Sequence, residues 1–420
     1  MQEANNESLP FPVESSTSAA TGDPLTDILR RGARDLLIQA VEAEAGTWIA
    51  DHSGLTDQQG HRQVVRNGYA ASRTIVTGVG KLEVAMPRVH DRRPACGGRE
   101  RFTSRILPPY LRKAKSIDEL IPWLYLKGIS TGGFTEALQA LLGADCPGLS
   151  ATTVTRLVAS WQEEQRDWSK RDLSDKHYVY IWADGIYFNI RLEEDRQCIL
   201  VLMGATADGH KELIAVQDGF RESEQSWLSM LLDLKHRGLT VDPKLAIADG
   251  ALGFWSAARK LLPGVKEQRC WVHKTANVLD KLPKRLRNEA KDKLHQIWMS
   301  PGRGAAGQAF DLFVATYQAK YPRAVECLQR DRAVLLTFYD FPADHWIHLR
   351  TTNPIESTFA TVRLRHKKTK GNGSRRACLA MVFKLCQSAE KRWRRLNGHK
   401  LIQDVIAGVT FTDGEKTKAA

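Results

Sequence analysis

The chain has 420 residues, 42% of them hydrophobic, enough for two or three domains with cores of their own. Its formal charge of +13 points to a polyanionic partner, and seven singly placed cysteines with no Cys-x-x-Cys pair exclude a disulfide framework and suit a reducing cytosol. No apolar run approaches the ~18 residues of a membrane span, and the first residues lack a signal-peptide pattern, so a cytoplasmic protein with no membrane partner is expected.

Residues 1–22, rich in Ser, Thr, Pro, Asn and Ala, read as a disordered tail. Asp23-Pro24 reads as a helix cap followed by proline at the first helical position. An apolar stripe from Leu25 through Leu29, Leu36 and Val41 to Ile49 continues that helix to about residue 50. It could pack internally or against a second copy. Arg66-Asn67-Gly68-Tyr69 reads as a turn, and Arg73–Gly80 with Lys81–Met86 as two strands joined at glycines, closed by Pro87. The loop that follows carries Arg88, Arg92, Arg93, Arg99, Arg101 and Arg105, either as a solvated surface or as a nucleic-acid contact.

Ser116-Ile-Asp-Glu119 reads as a capping box, and helices are predicted over about 116–127, 131–142 and 151–167. They fit a helix-turn-helix unit over 116–170, with 151–167 as recognition helix and Arg156 as its early basic residue. A plain three-helix bundle fits equally, because the 143–150 connection exceeds the usual three to four residues. From 177 the period becomes that of strands. Runs at 177–190, 198–205 and 211–216, with Asp208-Gly209 as a hairpin turn, precede a helix at 222–237 ended by Gly238. Strand 244–248, helix 251–262 and a strand around 267–271 follow, predicting a mixed sheet with helices on its faces. Residues 274–349 read as helical. Further helices begin at Asn353-Pro354 and cover 377–396.

Three acids stand out. Asp184 sits in Ala183-Asp-Gly185, inside a strand-forming run, and Asp249 in Ala248-Asp-Gly250, at the end of another. If those strands are neighbours, two hard oxygen donors suited to Mg²⁺ or Mn²⁺ converge, each followed by a glycine that leaves room for a phosphate. The rival readings are a hairpin tip for Asp184 and a helix cap for Asp249. Glu356, in Asn353-Pro-Ile-Glu356, either closes a capping box on its own helix or joins the two aspartates. Ala360, Arg363 and Lys367 share its helix face, and residues 361–395 hold twelve Lys or Arg against one acid, Glu390.

Ala-Asp184-Gly, Ala-Asp249-Gly, Cys270-Trp-Val-His273, Asn353-Pro-Ile-Glu356 and Arg363-Leu-Arg365, in this order, resemble the mutator-type transposases of bacterial insertion sequences. The resemblance covers about residues 30–400 and includes Arg66–Tyr69 and Pro87-Arg88. It implies an α/β protein with a ribonuclease-H-like core over 175–273 and 350–400, interrupted by a helical insertion domain at 274–349. The N-terminal helix and small β unit (23–115) and the helix-turn-helix-like region would precede that core, and a tail at 401–420 would follow it. Asp184, Asp249 and Glu356 would be the DDE triad, each catalytic and each a ligand of two Mg²⁺ or Mn²⁺ ions. Arg363, Arg365, Lys367, Lys368, Lys370, Arg375, Arg376 and Arg156 would hold DNA. Cys270 and His273 are too few for a structural zinc site and are expected to support the active site by packing or hydrogen bonding. The implied substrates are the terminal inverted repeats of the element and target DNA. A homodimer on DNA in the bacterial cytoplasm is expected, because synapsis needs two ends. A non-catalytic DNA-binding regulator, or a nuclease or resolvase with the same core, are the rival readings.

Overall fold

The structure is a computed structural model that describes residues 23–94, 98–129, 133–142, 151–190, 193–250, 252–369 and 373–417. The expected tail at 1–22, the 143–150 connection and Lys370 lie outside these residues. The chain divides into two compact units, Met1–Tyr125 with Thr131–Ser150, and Leu126–Ser130 with Ala151–Ala420.

The first unit opens with α1 (Pro24–Asp51), capped by the Asp23 carboxylate accepting from the Leu25 amide at 3.1 Å. Four short strands follow: β1 (Val64–Tyr69), β2 (Arg73–Thr77), β3 (Gly80–Val84) and β4 (Pro87–Asp91). Strands β2 and β3 form the expected hairpin. The segment Arg66–Tyr69 is not a turn. It is the end of β1, irregular where Gly68 takes φ +63°, and it pairs with β4. Pro87 accordingly opens a strand instead of closing the unit, which proline tolerates at a strand's first residue. Val41 of α1 packs with Ile75, Leu82, Val84 and Leu107, whereas Leu25, Ile28, Leu29 and Leu36 are exposed. Helices α2 (Lys115–Leu126) and α3 (Gly133–Leu142) complete the unit. Helix α2 starts one residue before Ser116, so the expected capping box is absorbed into its first turn.

The next helix, α4 (Ala151–Ser169), belongs to the second unit. Trp168 packs on Phe383 at 5.0 Å between ring centroids, and Glu164 accepts from Lys384 at 2.6 Å.

The second unit is built on a five-stranded mixed sheet. Strands β5 (Tyr178–Phe188), β6 (Gln197–Thr206) and β7 (Lys211–Gly219) run antiparallel, with the β6–β7 turn at Asp208-Gly209 as expected and Gly209 at φ +84°. After α5 (Glu224–His236), β8 (Leu245–Ala248) pairs in parallel with β5. After α6 (Leu252–Leu261), β9 (Lys266–Arg269) pairs in parallel with β8, giving the order β7-β6-β5-β8-β9. The strands read as continuous apolar runs because both faces are covered. On one face Ala183, Leu200, Leu202 and Ala248 pack with Trp227 and Phe254 of α5 and α6.

The other face takes the rest of the chain: α7 (Trp271–Leu279), α8 (Arg287–Trp298), α9 (Arg303–Tyr317), α10 (Pro322–Gln329), α11 (Arg332–Leu335), α12 (Trp346–Leu349), α13 (Asn353–Thr369) and α14 (Arg375–Glu390). Tyr180, Trp182 and Ile247 share one buried cluster with Phe310, Tyr339, Phe359 and Phe383 from these helices. The segment expected as an insertion domain therefore has its core in common with the sheet. The expected C-terminal tail is also folded. It forms α15 (Ile402–Ile406), β10 (Phe411–Thr412) and β11 (Glu415–Lys416), and Ile402, Val405 and Phe411 join the same cluster. No helix among the described residues is long and apolar enough to cross a membrane.

Candidate active site

The parallel ladder between β5 and β8 pairs Ala183 with Ala248, so Asp184 and Asp249 are the next residues on adjacent strands. Neighbouring strands run about 4.8 Å apart, and side chains at equivalent positions of a parallel pair point the same way. Asp184 and Asp249 thus share the face of Trp182 and Ile247, beneath the helical cluster. Asp184 is not a hairpin tip: it pairs with Val201 inside the β5–β6 ladder and is only 8% exposed. Its Oδ1 accepts from the Gly185 amide at 2.8 Å. Asp249 repeats this bond with the Gly250 amide, while its carbonyl accepts from Trp255 Nε1 at 2.8 Å and Arg269 Nη1 at 3.0 Å. The backbone at the end of β8 is held through that carbonyl. Burial pushes the Asp184 carboxyl up to about 7; the His273 imidazole opposes this, and the negative charges of Glu222 and Glu356 add to it.

Glu356 enters from the first turn of α13. In a capping box it would bond the Asn353 amide, but that amide donates to Thr351 Oγ1 at 3.3 Å. Glu356 Oε1 instead lies 3.0 Å from Thr352 Oγ1, and Thr352 Oγ1 is also 3.3 Å from Cys270 Sγ and 3.4 Å from His273 Nδ1. A hydroxyl has one proton, and the carboxylate is the strongest acceptor of the three. Thr352 therefore donates to Glu356 and accepts from the imidazole or the thiol. His273 Nδ1 is itself 3.6 Å from Glu356 Oε1. Burial works against a charged imidazole, yet hydrogen bonding to Cys270 and the charges of Asp249 and Asp184 outweigh it and push His273 up to about 10.

Ligand-capable atoms of Cys270, His273 and Glu356 come within 4.8 Å of one another, a grouping that does not include Asp184 or Asp249. Thr352 bridges these three groups. Thr352 was missed in the sequence because a threonine before Asn353-Pro354 looks like ordinary helix-start chemistry; nothing local reveals its contact 82 residues back.

The expected DNA-binding cations divide. Arg363, Lys367, Lys368, Arg376 and Arg156 are exposed. Arg363 and Lys367 line a depression that reaches Gly185 of β5. Arg365 is 3% exposed and faces the protein interior, so it does not reach a DNA backbone. Its neighbours in the helical period, Phe359 and Val362, are core residues. Arg375 is tied to Asp218 at 3.1 Å through both Nε and Nη2, and to Glu193 at 3.1 Å, a fork that fixes the start of α14 to β7.

Comparison with known proteins agrees with the motifs. Residues 8–396 match the family described as transposase, mutator family. The transposase for insertion sequence element IS6120 of Mycolicibacterium smegmatis is 53% identical over 298 residues, 71% of this chain and 92% of that protein. The transposase for insertion sequence element IST2 of Acidithiobacillus ferrooxidans is 50% identical over 279 residues, 66% of this chain and 94% of its own. Among solved structures, the Drosophila P element transposase strand transfer complex aligns with 75% of this chain and 87% of that one at 10% identity. Its TM-score of 0.30 is too low to bear on the fold. With a family match spanning nearly the whole sequence and two relatives covered almost end to end, this chain belongs to the mutator family of transposases.

Proposed function

We propose that the chain cleaves and rejoins DNA at the terminal inverted repeats of an insertion sequence, with Asp184, Asp249 and Glu356 as the catalytic carboxylates of a ribonuclease-H-like core. The observation that carries this reading is the Ala183–Ala248 register, which brings two aspartates 65 positions apart to adjacent strands. The order of three antiparallel strands followed by two parallel ones supports it.

The residues fit divalent cations. Three carboxylates gather at one end of the sheet, and one is buried among like charges, an arrangement that Mg²⁺ or Mn²⁺ relieves. Asp184, Asp249 and Glu356 would hold these ions through their carboxylate oxygens. When bound, such ions supply charge stabilisation for the phosphorane-like transition state and lower the pKa of the attacking hydroxyl.

The chain's own groups do the rest. In the first step water adds to phosphorus and the bond to the 3′ oxygen breaks, leaving a 3′-hydroxyl and a 5′-phosphate. In the second, that hydroxyl attacks a target phosphodiester, forms the new ester bond and displaces the target's 3′ oxygen. Thr352 and His273 hold Glu356 in place, and the helix cluster over Trp182 keeps bulk water from Asp184. Arg363, Lys367 and Lys368 bind the DNA backbone beside the site, and Arg376 and Arg156 add exposed positive charge. In the first unit, Arg88, Arg99 and Arg101 line one groove and offer a further phosphate contact. A homodimer on DNA brings two ends together.

The test is incubation of inverted-repeat oligonucleotides with Mg²⁺. Joined strands with wild type, and none with Asp184→Asn, are expected. Hydrolysis without joining favours the nuclease reading, and unchanged joining by Asp184→Asn sinks the triad.

A further inference from the structure

Glu222 lies between β7 and α5, one residue before Ser223, the N-cap of α5. Sequence reading places it in the helix's first turn, where an acid is commonplace. The structure puts it elsewhere. A β-carbon added at Gly185 would lie 2.6 Å from both Cγ and Oε1 of Glu222. The space that Gly185 leaves open, on the α5–α6 face of the sheet next to Asp184 in the chain, is therefore filled by the Glu222 side chain. A second glycine, Gly253 of α6, has the same kind of neighbour, since a β-carbon there would collide with the Glu222 carbonyl oxygen.

The loop is held from several sides. Arg221 takes the left-handed conformation, φ +57°, which a non-glycine residue adopts only when its surroundings hold it there. The Glu222 amide donates to Tyr187 Oη at 3.3 Å, and the Phe220 amide to Ser226 Oγ at 3.1 Å. Glu222 and Asp249 line one open depression. Burial raises the Glu222 carboxyl above its ordinary value, and the Asp249 charge adds to this, as expected of acids that share a site. Two glycines, a strained backbone and a tyrosine thus hold an acid against other acids. The His273 imidazole and the Tyr187 hydroxyl oppose this rise without cancelling it.

We propose that Glu222 is a fourth carboxylate of the divalent-cation site, approaching Asp184 and Asp249 from the α5 side of the sheet while Glu356 approaches from the α13 side. This rests on the cation reading given above. It makes Gly185 a seat for a ligand, not for a phosphate.

The experiment is Mn²⁺ binding to the full-length chain without DNA, with free Mn²⁺ read by electron paramagnetic resonance. Wild type binds. Glu222→Gln weakens binding at least about tenfold, the scale of disturbed metal sites. Gly185→Ala, which keeps the carboxylate but displaces it, does the same, and serves if Glu222→Gln does not fold. Asp184→Asn also weakens binding. Wild-type affinity in Glu222→Gln or Gly185→Ala, with loss in Asp184→Asn, overturns the role of Glu222 and leaves the triad standing. Wild-type affinity in Asp184→Asn overturns the cation reading and this inference with it.

Discussion

Asp184 holds a charge that its surroundings resist. Its carboxyl rises from 3.8 to about 7, first through burial. Between those values the folded chain keeps a proton that the unfolded chain gives up. The contribution to stability is therefore fully present below the ordinary carboxylate value and is lost as pH rises through 7. At pH 8 without metal the buried charge costs on the order of a few kcal/mol. Asp184→Asn should accordingly melt several degrees higher than wild type in EDTA at pH 8 and lose that advantage at pH 5. Added Mg²⁺ should raise the wild-type midpoint alone; a mutant that melts lower than wild type in EDTA contradicts this. Thr352 gives a second prediction. Thr352→Val keeps the shape and removes the hydrogen bond to Glu356, a bond to a charged group worth about 1.5–3 kcal/mol. Strand joining should fall about tenfold to a hundredfold and the unfolding midpoint by a few degrees, and Thr352→Ser should restore both. Of these residues the aspartates were legible, because a carboxylate inside a strand-forming run is chemically out of place. Thr352 was not, because its partners are distant in sequence.

At the scale of elements, pairing decides what a motif means. Asp208-Gly209 and Asp184-Gly185 have the same spelling, yet one turns a hairpin and the other lies within β5, paired with Val201 and Leu200 of β6. Strand-forming runs flank both, so the difference lies in the length of pairing partner available. Similarly, Arg66–Tyr69 has turn composition but is drawn into a ladder by β4, with Gly68 absorbing the irregularity. Helix α13 shows the same limit. Its cations were read as one basic row, but a helix that buries Phe359 and Val362 must also bury the residue in line with them, Arg365. Two outcomes follow for this helix. Arg363→Ala and Lys367→Ala should each weaken DNA binding and reduce the slope of log affinity against log salt by about one, measured by fluorescence anisotropy. Arg365→Ala should leave that slope unchanged and lower the urea midpoint, because it empties a packed interior position.

Across the whole molecule, the mixed sheet was more accessible than the domain boundaries drawn around it. Helical periodicity announced the helices after residue 273, but could not tell that their apolar faces close over the sheet. The last residues were harder still. Ile402, Val405 and Phe411 are too sparse to form a pattern, yet each is buried in the main core. Burying such side chains contributes about 1.5–3 kcal/mol apiece, so together they rival the stability of a typical domain. Truncation after Asn397 should give an aggregated or protease-sensitive second unit in limited proteolysis, and an intact, resistant unit contradicts this. The β5–β8 register carries a final implication, for how such enzymes diversify. Because adjacency in a ladder brings Asp184 and Asp249 together, the hairpin and helix between them can lengthen or shrink without moving either acid. Kinship among these proteins is therefore better judged by which strand positions are neighbours than by counting residues from one acid to the next.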